Sequence, residues 1–599
     1  MEAKSRPFTF LGNEALIRVP FFQRAYVWKQ DNWEDLLAEL SNTAKNHFLG
    51  SIILKQQVPI TGEPKEALII DGQQRLTTIS ILLKSLYDSF PETTRKNVEN
   101  PIRNCLFYKK EQTDTDFLVK IQHSQIDAEA FELVMRAGLD GNEPFDLNDV
   151  KRSRIFQCYK YFRDELAKRD LKENTTLFNW ITKNENEILV VIDLGIKDDE
   201  QAIFDTINSA GVHLSSADII KNALFQKVIQ LENQKSATKL YDDTWKKVMA
   251  PNDDVVAFWE KQRSTGRLKR DNIELLLHSI AVIKGIYDPD EHTLADLSWL
   301  YKDHIAKLNT PEEIRSFIQD IKEYAEIYKN KIPVFDGATM FSFDDYQKRL
   351  FHILECFEIS TFHPFVLFVY KNFGSNEAEL KRMFGAIESF VVRRVISKHE
   401  VKSFNKFCKE FIVNPQALFD RLMESNDADF QGQLKSISNR HAALLLFWVE
   451  LNRRSLDKKN DTNLLKYCYS LEHVMPQSWE EHWTDMPVKT KPDGSLMSKD
   501  EAAADRWDKI YWIGNMTLLT TNLNSSLRNY KYEVKMAGEG RKKGIKQYAD
   551  LVITKDDLVL PFDSGDTTWD ENKIVNRTER LIQEINNIWQ KQFVAVGAA

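Results

Sequence analysis

Two adjacent residues in the C-terminal part of the sequence have side chains suited to hydrolysing a phosphodiester bond. Glu472 supplies a carboxylate and His473 an imidazole, within the segment Glu-His-Val-Met-Pro-Gln at 472–477. Such hydrolysis requires a general base for water, a cation that offsets transition-state charge, and basic groups that hold the strand. Neighbouring strand residues point to opposite faces, so both can serve one site only at a strand end, which Pro476 supplies.

Amide and basic side chains follow this segment. Asn515, within Ile-Gly-Asn-Met-Thr-Leu-Leu at 513–519, and Asn524 provide amide oxygens. Amide and carboxylate oxygens are hard ligands of the kind that Mg²⁺ or Mn²⁺ prefers. The most basic stretch of the chain comes next and indicates contact with the phosphates of double-stranded DNA. Its residues are Arg528, Lys531, Lys535, Arg541, Lys542, Lys543 and Lys546.

A second candidate site lies in the Asp-Gly-Gln-Gln-Arg sequence at 71–75. Apolar runs precede it and helical spacing follows, which predicts a strand-to-helix turn. The N–H groups and the dipole at the start of a helix favour phosphate. Arg24 and Arg75 can clamp phosphate oxygens, and Asp71 can assist a cation or a water. The sequence contains no Walker P-loop motif.

The apolar pattern predicts an α+β multidomain protein. A chain of 599 residues is too long for one hydrophobic core, because cores stop growing at roughly 250–300 residues. Residues 1–225 combine short apolar strands with helices. Residues 226–455 repeat apolar positions at three- and four-residue steps and predict a helical connecting domain. Residues 456–599 read as strand, long loop, short strand and helix.

Bulk composition limits the class of protein. The sequence has no apolar run of membrane-spanning length and no signal-peptide pattern at its start, so a cytoplasmic protein without membrane association is expected. The net charge of −8 disfavours non-specific coating of nucleic acid but permits a confined DNA site. The five cysteines are dispersed, which predicts buried thiols in a reducing compartment and argues against structural zinc.

The C-terminal motifs resemble the HNH, or ββα-metal, endonucleases in the variant found at the C-terminus of GmrSD-type restriction enzymes. The resemblance implies that His473 is the general base and that Asn515 braces the loop that orients it. It implies further that Glu472 and Asn524 hold the metal, with Asn522 a rival for the second position. Many HNH proteins have histidine where this sequence has Asn524.

Four N-terminal motifs taken together resemble the ParB-like nucleotidase domain of the same enzymes, over roughly residues 10–225. They start at Pro20, Phe48, Asp71 and Phe204. The resemblance implies an α/β domain that binds and hydrolyses a nucleoside triphosphate (NTP) with Mg²⁺. The residues that it assigns to the nucleotide site are Gln23, Arg24, Asp71, Gln74, Arg75 and Asn208, with Asp71 and Arg75 also catalytic. Gln73 and Asp205 serve equally well as scaffold.

Joined in one chain, the two halves resemble single-chain, modification-dependent (Type IV) restriction enzymes. That family cuts foreign phage DNA bearing modified bases such as glucosylated hydroxymethylcytosine, with NTP hydrolysis coupled to cutting. One alternative is a defence protein that senses phosphorothioate-modified DNA and nicks invading DNA. Another is a regulatory DNA-binding protein with a degenerate HNH site. A homodimer is expected, because two strands must be cut.

Overall fold

The computed structural model divides the chain into two compact units, Met1–Tyr241 and Asp242–Ala599. Their secondary structure is mixed α and β and mostly helical, in agreement with the predicted fold class. The boundaries predicted at 225/226 and 455/456 stay a prediction. The structure describes residues 2–13, 16–21, 23, 25–42, 48–57, 65–109, 117–123, 125–139, 153–195, 215–265, 268–399, 403–457, 463–486, 488–491 and 493–593.

A six-stranded mixed sheet forms the centre of the N-terminal unit, in the order β1-β6-β3-β4-β2-β5. Strand β3 runs parallel to β6 and antiparallel to β4, and β2 runs parallel to β4 and β5. The strands are β1 (Glu2–Arg6), β2 (Leu16–Arg18), β3 (Ser51–Gln56), β4 (Glu66–Asp71), β5 (Ile121–Gln122) and β6 (Leu189–Leu194). A separate pair joins Phe107–Tyr108 to Leu118–Val119.

Helix α1 (Gln73–Ser89) follows β4 directly and is buried on almost every side. Its buried hydroxyl groups are satisfied within the helix, because Thr78, Ser80 and Ser85 each donate to the main-chain oxygen four residues earlier. The other α-helices of the unit are Gln30–Ser41, Glu92–Leu106, Gln125–Arg136, Arg154–Leu166, Leu171–Thr182, Ser216–Leu231 and Gln234–Tyr241.

The described part of the chain from 242 to 457 is helical apart from three short strands. The hairpin Gln262–Thr265 with Leu268–Asp271 is one exception, and Met340–Phe341, which pairs with Leu465–Lys466, is the other. The longer helices are Asp253–Glu260, Asn272–Ile283, Leu297–Lys307, Pro311–Lys331, α2 (Tyr346–Cys356), His363–Phe373, Glu377–Ile396, Phe404–Val413, Gln416–Met423, Asp427–Leu434 and α3 (Asn439–Leu456).

The last part of the chain contains an antiparallel strand pair, β7 (Tyr469–His473) and β8 (Met516–Thr520). Helix Lys499–Ile510 lies between these strands in sequence. The helices after β8 are α4 (Thr521–Leu527), α5 (Tyr532–Ala537), Ile545–Tyr548, Val552–Thr554, Leu560–Asp563 and α6 (Glu571–Ile588). No helix within the described ranges is long and apolar enough to cross a membrane.

The five cysteines differ in exposure. Cys105, Cys158 and Cys408 are buried, Cys356 is half-buried and Cys468 is exposed. The prediction of buried thiols is therefore wrong for Cys468, because it lies in the turn between the strand Leu465–Lys466 and β7.

Candidate active site

Two antiparallel strands and a helix frame the C-terminal candidate site. In the register of β7 and β8, Glu472 lies opposite Thr517 and His473 opposite Met516. Helix α4 begins directly after β8, which gives the order strand, strand, helix. Strand β7 ends at His473, so the carboxylate and the imidazole lie at the strand end that the sequence predicts.

The imidazole of His473 is oriented by the end of the preceding helix. Its Nδ1 lies 3.1 Å from the main-chain oxygen of Ile510, the last residue of helix Lys499–Ile510. The last carbonyls of a helix lack partners within the helix and accept hydrogen bonds from outside it. Because a carbonyl oxygen only accepts, Nδ1 carries a proton and donates it. In the neutral ring, Nε2 is then the basic nitrogen.

Asn439, the first residue of helix α3, faces this basic nitrogen. The amide lies 3.2 Å from Nε2 of His473, with Oδ1 as the nearer atom. Burial holds the pKa of His473 below its ordinary value, although the Ile510 carbonyl opposes that effect. The neutral form of the His473 ring is therefore favoured. Since Nε2 of this form only accepts a hydrogen bond, the Asn439 amide must be turned over so that Nδ2, and not Oδ1, faces Nε2 and donates to it.

Asn515 is fully buried and ties the loop after β7 to the same helix end. Its Nδ2 donates to the main-chain oxygens of Met475 (2.8 Å) and Ile510 (3.0 Å). Its Oδ1 accepts from the Met475 N–H (2.9 Å) and from Nε1 of Trp569 (3.1 Å). Every polar atom of the amide is used, so Asn515 is placed to position His473 through their shared acceptor.

Gly514 lies against helix α6 with no room for a side chain. An added Cβ would come within 2.2 Å of the Ile574 main-chain oxygen and 2.3 Å of Thr578 Oγ1. From the same helix, buried Arg577 donates to the main-chain oxygens of Gly514 (2.9 Å) and Met516 (2.6 Å). The glycine in the Ile-Gly-Asn motif is therefore required by close packing.

Lys535 forms a buried ion pair with Glu472. Its ammonium donates to Oε1 of Glu472 (2.6 Å) and to the main-chain oxygens of His473 (2.9 Å) and Val474 (3.0 Å). Burial raises the pKa of Glu472 and lowers that of Lys535, and each partner opposes the shift of the other. The lysine therefore fixes the main chain at the candidate base and at the residue after it.

The predicted phosphate contact by Lys535 is contradicted by this placement. Its side chain has no exposed surface and all three of its N–H bonds have acceptors. Arg528 and Lys531 are exposed, and their phosphate contact stays a prediction. The sequence could not distinguish the buried Lys535 from the exposed Arg528 and Lys531, because a basic residue in a sequence does not show whether it faces solvent or a carboxylate.

We predict that Lys535→Met destabilises the C-terminal unit by about 3–5 kcal/mol, because Glu472 then remains as an uncompensated buried charge. Lys531→Met is the matched control, since Lys531 is exposed in the same segment. Urea unfolding of the full-length variants measures the difference. Equal stability of the two variants would show that the ion pair contributes nothing.

The N-terminal candidate site is a strand-to-helix turn, as predicted. Asp71 ends β4, Gly72 has φ +90°, and α1 begins at Gln73. An added Cβ on Gly72 would come within 3.0 Å of the Ser51 main-chain oxygen, so both the angle and the space require glycine.

Arg75 is held at this turn by β3 and the residue before it. Its Nη1 donates to the Ser51 main-chain oxygen (2.9 Å), and its guanidinium packs against Gly50, where an added Cβ would lie 2.6 Å from Cζ. Burial lowers the pKa of Arg75, while the charge of Asp71 raises it. The structure therefore brings Asp71 and Arg75 together.

Gln23 and Gln74 bind main-chain groups. Gln23 Nε2 donates to the oxygens of Ile69 (2.8 Å) and Ile70 (3.2 Å). The buried amide of Gln74 accepts from the Val27 N–H (2.8 Å) and donates to the Ala25 oxygen (3.1 Å). These bonds place Gln23 as a support of the end of β4 and Gln74 as a support of residues 25–27. The nucleotide contact predicted for both glutamines stays a prediction.

The predicted nucleotide contacts Arg24 and Asn208 lie outside the described residues, as does Asp205. Their assignment therefore stays a prediction. Gln73, for which a scaffold role was the alternative, is buried at the start of α1.

Both candidate sites lie in stretches of the chain that match the sequence models of a known family. Residues 8–225 match the sequence model of the GmrSD restriction endonuclease, N-terminal domain. Residues 424–584 match that of GmrSD restriction endonucleases, C-terminal domain. The chain belongs to the GmrSD restriction endonuclease family. The C-terminal match begins before α3, so it includes the helix that presents Asn439.

An uncharacterized protein of Methanocaldococcus jannaschii is also similar to this GmrSD-family chain. The two are 24% identical over 263 residues, which cover 37% of this chain and 41% of the relative. The chain thus spans less than half the length of that relative.

The donor set of this GmrSD-family site suits a hard cation held by few protein ligands. No group of three or more His, Cys, Asp or Glu residues that could hold a metal occurs in the described ranges. Mg²⁺ keeps several waters and needs only one or two protein oxygens beside substrate phosphates. Glu472 Oε2 and Asn524 Oδ1 are the remaining oxygens, because Lys535 binds Oε1.

Asn524 faces β7, whereas its rival Asn522 is exposed. Nδ2 of Asn524 donates to Ser470 Oγ and to the Leu471 main-chain oxygen, both at 2.9 Å. These bonds fix the amide beside the strand that carries Glu472, which favours Asn524 as the ligand in this GmrSD-family chain.

Sequence reasoning missed two groups that contact His473. Asn439 lies on a helix assigned to the connecting domain, and nothing in its local sequence indicates a site. The Ile510 acceptor is a main-chain atom, so no side-chain pattern could identify it.

Proposed function

We propose that this GmrSD-family chain is a Type IV restriction endonuclease of the HNH class. It cleaves double-stranded phage DNA that carries modified bases such as glucosylated hydroxymethylcytosine, and it couples cleavage to NTP hydrolysis. The observation that carries the proposal is His473 at the end of β7, with Nδ1 bound to a helix-end carbonyl and Nε2 unprotonated beside the Asn439 amide.

The residues of the site divide the chemistry among them. Once water displaces the Asn439 amide from Nε2 of His473, Nε2 takes a proton from that attacking water. Asn515 keeps the ring in place through the Ile510 carbonyl. Glu472 and Asn524 would hold Mg²⁺ or Mn²⁺, which supplies charge stabilisation at the reacting phosphate. Arg528 and Lys531 hold the DNA backbone from the exposed segment after α4.

The proposal that the chain hydrolyses an NTP is based on the turn between β4 and α1. Gly72, with its positive φ, leads directly into α1, and the main-chain N–H groups and dipole at a helix start favour phosphate. Arg75 lies beside Asp71 in this turn. We propose that Arg75 binds a phosphate oxygen of the nucleotide and that Asp71 orients its cation or the attacking water.

Arg75→Ala should lower NTP hydrolysis by roughly 100-fold, because a fixed charge at the transferring phosphate is removed. Gly50→Ala should have a similar effect, since its Cβ would displace the guanidinium. Arg18→Ala is the control, because Arg18 is an exposed arginine of the same sheet, paired with Glu66. Phosphate release measures the rates. Unchanged turnover in Arg75→Ala would remove the assignment.

A cleavage assay on three duplexes tests the whole proposal. The duplexes carry glucosylated hydroxymethylcytosine, phosphorothioate linkages or no modification, each with and without NTP and with Mg²⁺ or Mn²⁺. We expect cutting of the glucosylated duplex that requires both metal and NTP. Nicking that depends on phosphorothioate DNA would instead favour the self-sensing defence protein. Binding without cleavage under every metal condition would favour the regulatory protein.

A further inference from the structure

A cavity of about 380 Å³ lies among the helices of the second unit, away from the residues assigned above. It opens beside the hairpin strand Gln262–Thr265 and helix α2. Ligand sites measure about 300–1,000 Å³, so this cavity has room for one group of small-molecule size. It is far too small for a DNA duplex.

The lining combines aromatic walls with charges of both signs. Phe335 and Phe351 supply aromatic side chains, and Leu354 adds an apolar surface. Arg263 and Glu355 stand on the same lining. The carboxylates of the lining disfavour a phosphate group, and its cations disfavour a purely apolar ligand. A planar ring that carries both hydrogen-bond donors and acceptors satisfies all of these groups.

His363 adds a polar group within the cavity wall. Its side chain is 5% exposed, and its Nδ1 is buried without a hydrogen-bond partner. Burial, together with the charge of Arg263, lowers the pKa of His363 to about 3. The ring is therefore neutral and can act as donor or acceptor. A buried polar group without a partner costs free energy, and a ligand that bonds to this nitrogen would offset that cost.

The cavity is linked to the nuclease site through the first turn of α3. Glu358 lines the cavity and pairs with Arg440 at 3.0 Å. Arg440 also donates to the main-chain oxygen of Cys356, the last residue of α2. The neighbour of Arg440 in sequence is Asn439, which faces Nε2 of His473. Of these two consecutive residues, Arg440 thus contacts a residue of the cavity lining and Asn439 contacts His473.

We propose that this cavity receives a single base of the substrate DNA, extruded from the double helix, and reads its modification. The inference rests on the proposed function, because DNA must be the substrate. Enzymes that examine a base outside the stack hold it between aromatic side chains and read its edge by hydrogen bonds. Phe335 and Phe351 are the candidates for stacking on the base. Glu355, Arg263 and His363 are the candidates for hydrogen bonds to the edge of the base.

The test uses a duplex with 2-aminopurine beside glucosylated hydroxymethylcytosine, since 2-aminopurine fluorescence rises when its neighbour leaves the stack. The same duplex with cytosine is the reference. Full-length His473→Ala is the background, so that the DNA stays intact. Val334→Trp fills the cavity mouth, where Val334 is 44% exposed. Val413→Trp is the matched control, at a site that is 81% exposed and outside the cavity.

We expect fluorescence to rise with the background protein and with Val413→Trp, but not with Val334→Trp. Binding of the modified duplex should weaken about tenfold in Val334→Trp, since stacking contributes about 1–3 kcal/mol per base. Glu355→Gln, which keeps the size of the side chain, should reduce the preference for modified over plain DNA.

An equal rise with both tryptophan variants, or no rise with any protein, would overturn the inference. Cleavage of the same duplexes by the wild-type chain is measured separately. If the wild-type enzyme cuts modified DNA but the fluorescence signal does not depend on the cavity, only the proposed role of the cavity in reading the base is refuted. A wild-type chain that never cuts refutes the proposed function.

Discussion

His473→Ala should lower DNA cleavage by roughly 10²–10⁴-fold, the usual contribution of a general base. The imidazole is half-buried, and its removal leaves the Ile510 carbonyl with a second donor in Asn515. The variant should therefore fold normally, bind DNA and hydrolyse NTP at the wild-type rate. Gel analysis of cleavage beside phosphate release measures the two activities on one preparation.

His482→Ala is the matched control for this experiment. His482 lies in the same region of the chain, and its side chain is 44% exposed, so cleavage should stay at the wild-type level. Normal cleavage by His473→Ala would remove the nuclease assignment. Loss of both activities would mean that the substitution disturbs the fold.

Gly514→Ala should destabilise the second unit by at least about 5 kcal/mol, beyond the range of ordinary substitutions. The new Cβ would meet the Ile574 main-chain oxygen at 2.2 Å, and a helix backbone cannot move aside without breaking its contacts. Displacing α6 would also separate Arg577 from the oxygens of Gly514 and Met516. We expect cleavage to disappear while NTP hydrolysis persists. Thermal unfolding followed by circular dichroism measures the loss.

Gly432→Ala is the opposite control. Gly432 lies in helix Asp427–Leu434, and an added Cβ would meet nothing within 4 Å. The substitution should stabilise the protein by roughly 0.5–1 kcal/mol, because alanine has the higher helix propensity. If Gly514→Ala unfolds at the wild-type temperature, the close packing against α6 does not exist in solution.

Local sequence predicted the site best where one element carries several functional residues. Glu472 and His473 were placed at a strand end from Pro476 alone, and β7 does end there. Asp71 and Arg75 were placed at a strand-to-helix turn because the apolar spacing changes between them. In both cases the information lies within a few residues.

Contacts between distant segments could not be predicted in the same way. Lys535 belongs to a basic stretch, and only the fold shows that it pairs with Glu472. Asn439 is one of many polar residues at helix starts. Its role depends on where α3 packs, which no local pattern determines. Hydrophobic periodicity indicates which face of a helix is buried, but it does not identify the partner.

The unequal exposure of the cysteines makes the native chain selectively reactive towards thiol reagents. Burial raises the pKa of Cys105 to about 11 and that of Cys356 to about 12. Cys158 and Cys408 are buried, and their thiolates are disfavoured still more strongly. Cys468 alone among the five is exposed. A maleimide fluorophore should therefore attach at this one position, five residues before His473, without any cysteine having to be removed.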